Sequence, residues 1–304
     1  MSSFVTRSIS IRLVKQTVST LSAEIGGQVF PDTEGSITLT PFDLTGLRSQ
    51  LIINNDAGLL SMTAMQLRVF GMDKTLMDMF STYARELIKL RGDQVVISVS
   101  ENKGPYTTIF SGNISAAFID YNSAPDVSFN ISAISAMEKK VQPAAAIGFS
   151  GEIDVASKIE SLAKQINYAF EGNGVTAKLY NQYLDGSIVQ QIYKLSNAAK
   201  LSCLIENEKV TIWPANSNRQ LPSILVSPET GMVGYPSFTP VGIMIRTLFN
   251  PDLKPGRLVE LKSDIVKANG TWIVQVCDHE LSTMTPDGPW FTNCTLIQKG
   301  LLIG

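Results

Sequence analysis

Apolar and polar residues alternate with a period of two through most of the first 140 positions, which is the pattern of half-buried strands. SITLTPFDL, SQLIINND and MTAMQLRVFG read as short strands bounded by Pro, Gly, Asp and Asn. QVVISVS, TTIFSGNISAAFIDY and VSFNISAIS continue as a meander, joined by the turns ENKGPY and NSAPD. In the last of them Val127, Phe129, Ile131 and Ala133 share one face, and Ser128, Asn130 and Ser132 the other. The exception is DKTLMDMFSTYARELIKL, where Leu76, Met79, Phe80, Tyr83, Leu87 and Leu90 recur at three- and four-residue spacing. That spacing predicts a helix over at least its first part, capped by Asp73.

The period changes after KKVQPAAAIGFSG (139–151), which reads as a boundary. Val155, Ile159, Leu162, Ile166 and Phe170 form one apolar stripe, so DVASKIESLAKQINYAF is an amphipathic helix with Asp154 as its N-cap. In DGSIVQQIYKLSNAAKLS, Ser187 and Gln190 have capping-box spacing ahead of Ile188, Ile192 and Leu195. LSCLIENEKVTIWP then reads as two strands about a polar turn. Residues from about 148 to 217 therefore make a small α+β module between β-rich flanks.

Strands resume at ILVSP and run through PSFTPVGIMIRTLFNP, GRLVELKSDIV, NGTWIVQVCDHELS and WFTNCTLIQKG. Within FNPDLKPGRLVELKS, Pro251 and Pro255 fix their own φ and push the residues before them to extended geometry. Gly256 permits a turn that a Cβ would resist, so the stretch is a stiff corner leading into a strand. If Leu281 pairs with Trp290 across the turn TMTPDGP, Cys277 falls opposite Cys294. IFSGNISAAFIDYNSAPDVSFNISAIS and ANGTWIVQVCDHELSTMTPDGPWFTNCTLIQ also share a layout, with Gly270 answering Gly112 and Pro286-Asp287 answering Pro125-Asp126. A genuine likeness implies two similar β-domains with the helical module inserted between them; two unrelated hairpins are the alternative, since such turns are common.

The chain has 304 residues, 44% of them hydrophobic, enough for two or three cores. Charged residues make up 17%, below the roughly 25% of an ordinary soluble domain. Its surface is therefore covered by Ser, Thr, Asn and Gln, or hidden by partners. A net charge of −2 gives no electrostatic reason for specific nucleic-acid binding. No secretory leader and no apolar run of about 18 residues is present, so the expectation is a soluble protein made in the cytoplasm, without a membrane anchor. There, Cys277 and Cys294 are expected as buried thiols, a disulfide being the alternative.

Candidate chemistry is sparse. The sole histidine, His279, shares a strand face with Cys277, which could be half a metal site or an acid–base pair. A closed zinc site needs four ligands, and no second cluster accompanies it, so a histidine on a half-exposed strand is the simpler reading. Glu152 with Asp154, or Asp278 with Glu280, could serve a two-carboxylate glycoside hydrolase, and a cell-wall or carbohydrate-active hydrolase is the alternative function. EGNG and GPYTTIFSG lack the following GK[ST] of a phosphate loop. The glycosylation patterns at Asn113, Asn130, Asn269 and Asn293 have no meaning without secretion. No catalytic, cofactor-binding or metal residue is assigned, no cofactor is expected, and the reading is not an enzyme.

Six stretches in order resemble the baseplate hub proteins of contractile-tailed bacteriophages, the late-control D and Mu-like hub family. They are QLRVFGMDKTLMDMFS, TTIFSGNISAAFIDYNSAPDVSFNISA, GVTAKLYNQYLDGSIVQQIYKLSNAAKLSCLIENEKVTIWP, SPETGMVGYPSF, FNPDLKPGRLVELKS and NGTWIVQVCDHELSTMTPDGPWFTN. The chain is also similar to the hub part of type VI secretion spike proteins. The resemblance implies a mainly β fold with two similar β-barrel domains flanking a small α+β module. Residues 1–147 would be the first, tube-docking barrel, 148–217 the module and 218–304 the second barrel. It further implies a homotrimer, a pseudo-sixfold ring joining the sixfold tail tube to a threefold central spike. Other baseplate proteins would be its neighbours, in a virion assembled in the host cytoplasm. The chain ends at QKGLLIG, so a lytic domain of the kind some relatives carry or bind is expected on a partner.

Overall fold

The alternation seen along the flanks becomes a single large sheet in a computed structural model. It describes residues 6–19, 22–25, 28–31, 36–56, 61–82, 92–122, 124–215 and 217–298. From the first β-region come β1 (Arg7–Ser19), β2 (Ser36–Thr45), β3 (Ser49–Asp56), β4 (Ala64–Phe70), β5 (Gln94–Glu101), β6 (Thr107–Asp120) and β7 (Ser128–Ile134). The module supplies β8 (Ala169–Gly172), β9 (Leu201–Glu206) and β10 (Lys209–Pro214). The second β-region has β11 (Ile224–Val226), β12 (Ser237–Thr239), β13 (Gly242–Leu248), β14 (Leu258–Leu261), β15 (Gly270–Thr283) and β16 (Trp290–Gln298). The helices are α1 (Lys74–Phe80), α2 (Met137–Val141), α3 (Val155–Gln165) and α4 (Ile188–Ala198).

The thirteen-stranded sheet has the order β12-β13-β16-β15-β3-β4-β7-β6-β5-β1-β2, with β14 added to β15 and β11 to β14. It does not stop at the module. β3 of the first region pairs antiparallel with β15 of the second, from Ser49 opposite Thr283 to Asp56 opposite Val276. The fold is thus mainly β, as expected, but no sheet closes on itself among the described residues, so separate closed barrels are not what these strands display.

Each region repeats one strand order. In space β3-β4-β7-β6-β5 matches β12-β13-β16-β15-β14, and both sets run in the same sequence along the chain. The two long strands, β6 and β15, each carry a bulge, at Ser115 and at Gln275. A bulge adds one unpaired residue and bends the strand, so it marks an equivalent place better than a glycine does. Counted from the bulges, Pro125 lies ten residues on and Pro286 eleven. Gly112 and Gly270 are not equivalent points, which is why their distances to the prolines disagree. The likeness departs at the outer strand: β1 joins β5 antiparallel, whereas β11 joins β14 parallel.

Three apolar clusters form under this frame. The first holds Ile11, Leu13, Ile53, Ile97, Phe110 and Phe129, and also Leu281 and Trp290 from the second region. The second packs Ile159 and Leu162 of α3 and Ile192 and Leu195 of α4 on the module sheet. The third includes Ile243, Leu253, Val259, Val274, Cys277 and Leu296. The helix starts agree with the sequence. Asp73 accepts from Leu76 N–H at 3.2 Å, Asp154 from Ser157 N–H at 2.7 Å, and Ser187 and Gln190 complete a capping box. α1 ends at Phe80; Tyr83, Leu87 and Leu90, expected to extend its stripe, lie outside the described residues. β9 and β10 turn through Asn207 and Glu208, both at positive φ, the conformation a two-residue hairpin requires.

Because Leu281 comes from the second region yet is fully buried in the first core, Leu281→Ala removes packing where the two regions join. The expected cost is about 2–5 kcal/mol, read as a lower denaturant midpoint with one shared transition for both β-regions. Loss of the second region alone would contradict the continuous sheet.

Candidate functional site

The corner after β13 is where the second region meets the module. Leu253 is fully buried, and its carbonyl accepts the Cys277 S–H at 2.9 Å. Gly256, at φ +81°, donates to Val274 O at 2.8 Å and accepts from Arg219 N–H at 2.8 Å. A Cβ there would come within 2.8 Å of the Trp213 ring and 2.9 Å of the Arg219 side chain. The prolines set the path and the glycine lets it lie against the module.

Charge fixes the same junction. Lys254 Nζ donates to Glu206 Oε1 at 2.8 Å, from the corner to the end of β9. Glu171 on β8 takes Arg219 through Nε at 3.0 Å and Nη2 at 2.7 Å, and Lys209 at 2.6 Å. Asn173 adds a contact to Glu171 at 3.2 Å and accepts the Gln220 N–H at 2.9 Å. Partial burial pushes the Glu171 carboxyl up, but the hydrogen bonds from Lys209 and Arg219 and the Arg219 charge outweigh it and hold it down at about 2. Sequence reasoning missed this network: Arg219 sits in the unpatterned loop ANSNRQLPS, and its partner lies 48 residues away.

The chemical candidates are placed as follows. Cys277 and Cys294 are directly opposed, as the Leu281–Trp290 register required, with their sulfurs 3.6 Å apart, both buried and both free thiols. His279 is buried, not half-exposed. Its Nδ1 lies 3.0 Å from Thr292 Oγ1 and its ring packs edge-on to Phe249. Burial and then the nearby Lys254 charge push its pKa down to about 4. It borders a cavity of about 140 Å³ shared with Asn55, Glu206, Asp252 and Lys254. No group of three or more His, Cys, Asp or Glu suited to a metal ion occurs among the described residues. Glu152 binds Lys178 at 2.6 Å and also Tyr180, while Asp154 caps α3. Asp278 accepts from Asn54 at 3.0 Å and Glu280 from Arg246 at 3.3 Å. Each proposed acid pair is therefore committed to separate structural partners.

What remains is a broad outer face that crosses both β-regions. One row runs Leu248, Phe291, Glu280, Ile52, Gln66, Ser132 and Ala116 over successive strands. It is a mixed surface of amides, hydroxyls and a few apolar groups, with Ile52 and Phe118 exposed. Two ion pairs on it follow the repeat, while Asp56 and Asp278 on the same face have no cationic partner among the described residues. Arg68 binds Asp120 at 3.0 Å and Arg246 binds Glu280 at 3.3 Å. Through the registers, Arg68 is the counterpart of Arg246, Asp120 of Glu280, and Asn130 of Asn293.

The family model described as baseplate hub gp41 matches residues 65–293. A search of curated proteins finds no match. Among solved structures, a tail protein from Neisseria meningitidis MC58 is similar at TM-score 0.61 and 11% identity, over 97% of this chain and 98% of that one. The 43 kDa tail protein of prophage MuSo2 from Shewanella oneidensis is similar at TM-score 0.55 and 8% identity, over 95% and 96%. The Escherichia coli c3393 protein, a type VI secretion component described as structurally similar to T4 tail proteins gp27 and gp5, is similar at TM-score 0.57 and 8% identity, over 83% and 73%. At these identities the likeness shows the fold.

Two measurements test the junction. Glu171→Gln leaves Arg219, whose side chain is 3% exposed, without its counter-charge, and is expected to cost on the order of 3 kcal/mol in denaturant unfolding. Since the folded carboxyl titrates lower than the unfolded one, the difference from wild type is complete near neutrality and shrinks as pH falls from 4.5 towards about 2. His279 gives another window. Its folded pKa lies below the ordinary 6.5, so wild type loses stability relative to His279→Gln between pH 6.5 and about 4. A pH-independent gap in either case would contradict the assignment.

Proposed function

From the chain's membership of the baseplate hub gp41 family, we propose that this phage tail structural protein assembles as a homotrimer whose pseudo-sixfold ring adapts a sixfold tail tube to a threefold central spike. The observation that carries the reading is the duplicated strand order with its matched bulges and matched Arg–acid pairs. Three chains, each with two like β-units, present six similar positions around one axis.

The working division is residues 1–147 and 218–304 as the two like units and 148–217 as the module between them, the first unit facing the tube. The partners in this reading are the tube protein, the spike and neighbouring baseplate proteins, and the place of action is the virion, with assembly in the host cytoplasm. The similar c3393 protein, a type VI secretion component, supports a spike-side partner. No helix among the described residues is long and apolar enough to cross a membrane. Its action is mechanical and needs no cofactor; the acids a hydrolase would use are engaged with Lys178, Asn54 and Arg246.

Light scattering coupled to size exclusion is the direct test. The expected particle has three times the 33.1 kDa chain mass at micromolar concentration. A particle of one or two chains across the accessible concentration range would overturn the ring.

A further inference from the structure

β15 has two halves that serve different neighbours. Gly270–Ile273 pair with β14, the bulge falls at Gln275, and Val276–Thr283 pair with β3 across the boundary between the regions. β6 is built alike around Ser115, although its pairing with β5 has a further irregularity at Ile109 that β15 lacks. Thr107–Asn113 pair with β5, the bulge falls at Ser115, and Ala116–Asp120 continue beside β7. On the other edge of that second half, no strand is present among the described residues. Among the described residues only Thr82 reaches it, donating its N–H to Ala117 O at 2.7 Å and accepting the Ala117 N–H on its Oγ1 at 2.9 Å. Backbone groups alternate between the two sides of an antiparallel strand, so Ile119 turns its pair to the same edge, where no described residue meets it.

The strand that belongs there is identified by the repeat. β3 fills this position on β15, and the counterpart of β3 is β12, at the far end of the same sheet. Following the registers through β13 and β16, Ser237 corresponds to Ile52, Phe238 to Ile53 and Thr239 to Asn54. Ile53 is 0% exposed, whereas Phe238, at the equivalent inward position, is 58% exposed. An aromatic side chain that faces inward yet remains open to water lacks the neighbour its counterpart has. The next residue, Pro240, has no N–H to offer, and it is the counterpart of Asn55, opposite Cys277. The matching rung on β6 is Ala117, the one that Thr82 already satisfies.

We propose that Ser237–Thr239 of one chain lie antiparallel along Phe118–Asp120 of a second copy, with Ser237 opposite Asp120, Phe238 opposite Ile119 and Thr239 opposite Phe118. The contact reproduces between chains the junction that β3 and β15 make within one. It joins different surfaces of the two copies, and such head-to-tail contacts close a ring when the rotation permits. It also covers two edges that would otherwise invite unspecific pairing. The inference rests on the ring reading and names where the ring is joined.

The test uses the full chain carrying Thr239→Cys and Phe118→Cys together. These positions form a pair without mutual backbone hydrogen bonds, the kind that brings side chains closest. Mild oxidation is expected to give covalent dimers and trimers, with neither single variant doing so. The shifted pair Thr239→Cys with Asp120→Cys should link at least tenfold less. Separately, Phe238→Asp should lower the trimer population at least tenfold with unchanged circular dichroism. A wild-type trimer in which the first pair fails to link, or one that Phe238→Asp leaves intact, overturns this contact while the ring stands. A wild-type chain that stays monomeric overturns both.

Discussion

Eight residues of β3 held against eight of β15 make one molecule of two halves more than two hundred residues apart in sequence. Every backbone group buried along that seam needs a partner, so the pairing fixes register and orientation together. It places Leu51 and Ile53 beside Leu281 and His279 and carries Leu281 and Trp290 into the first core. The bulge at Gln275 makes this possible, because the strand pairs with β14 before it and turns to β3 after it. Without the seam, the halves would be connected through the module alone.

The module joins the first region by strand pairing, Leu204 and Ile205 of β9 lying parallel to Ser61 and Met62, and the second region by chemistry of another kind. Its own core is apolar and closed by α3 and α4, but its attachment to the second region relies on Lys254–Glu206, on Arg219 bound to Glu171, and on Gly256 lying against Trp213. A chain with few charges uses several of them here, in pairs with well-defined geometry and low exposure. Such pairs add little net stability over an apolar contact, yet breaking one leaves a buried charge uncompensated. They fix how the module meets the second region. The buried His279, with its depressed pKa, belongs to the same junction and stays neutral there at physiological pH.

Much of this was legible as periodicity. The alternation in β3, β5 and β7, the caps at Asp73, Asp154 and Ser187, and the facing of Cys277 and Cys294 all depend on local spacing, which the sequence displays. The internal likeness was visible too, but its alignment was not. Glycines and prolines stand out to the eye, whereas the true anchors are two bulges at Ser115 and Gln275 and the pairs Arg68–Asp120 and Arg246–Glu280. Bulges leave no mark in composition, and these ion pairs join different strands. The seam between β3 and β15 and the Arg219 network were hidden for the same reason, since nothing local encodes a partner so distant. The burial of His279 was likewise decided by tertiary neighbours, Phe249 and Thr292 above all.

A family of tail hubs, a duplicated sheet and ion pairs repeated at equivalent places of its two halves support one idea: each chain supplies two sixths of a ring. Electron microscopy of the purified assembly tests it most directly, through unsupervised averages viewed down the particle axis. The account expects threefold symmetry with six closely similar densities around the rim, two contributed by each chain. Averages without a threefold axis, or with three unlike pairs that cannot be superposed by a sixty-degree rotation, would contradict it.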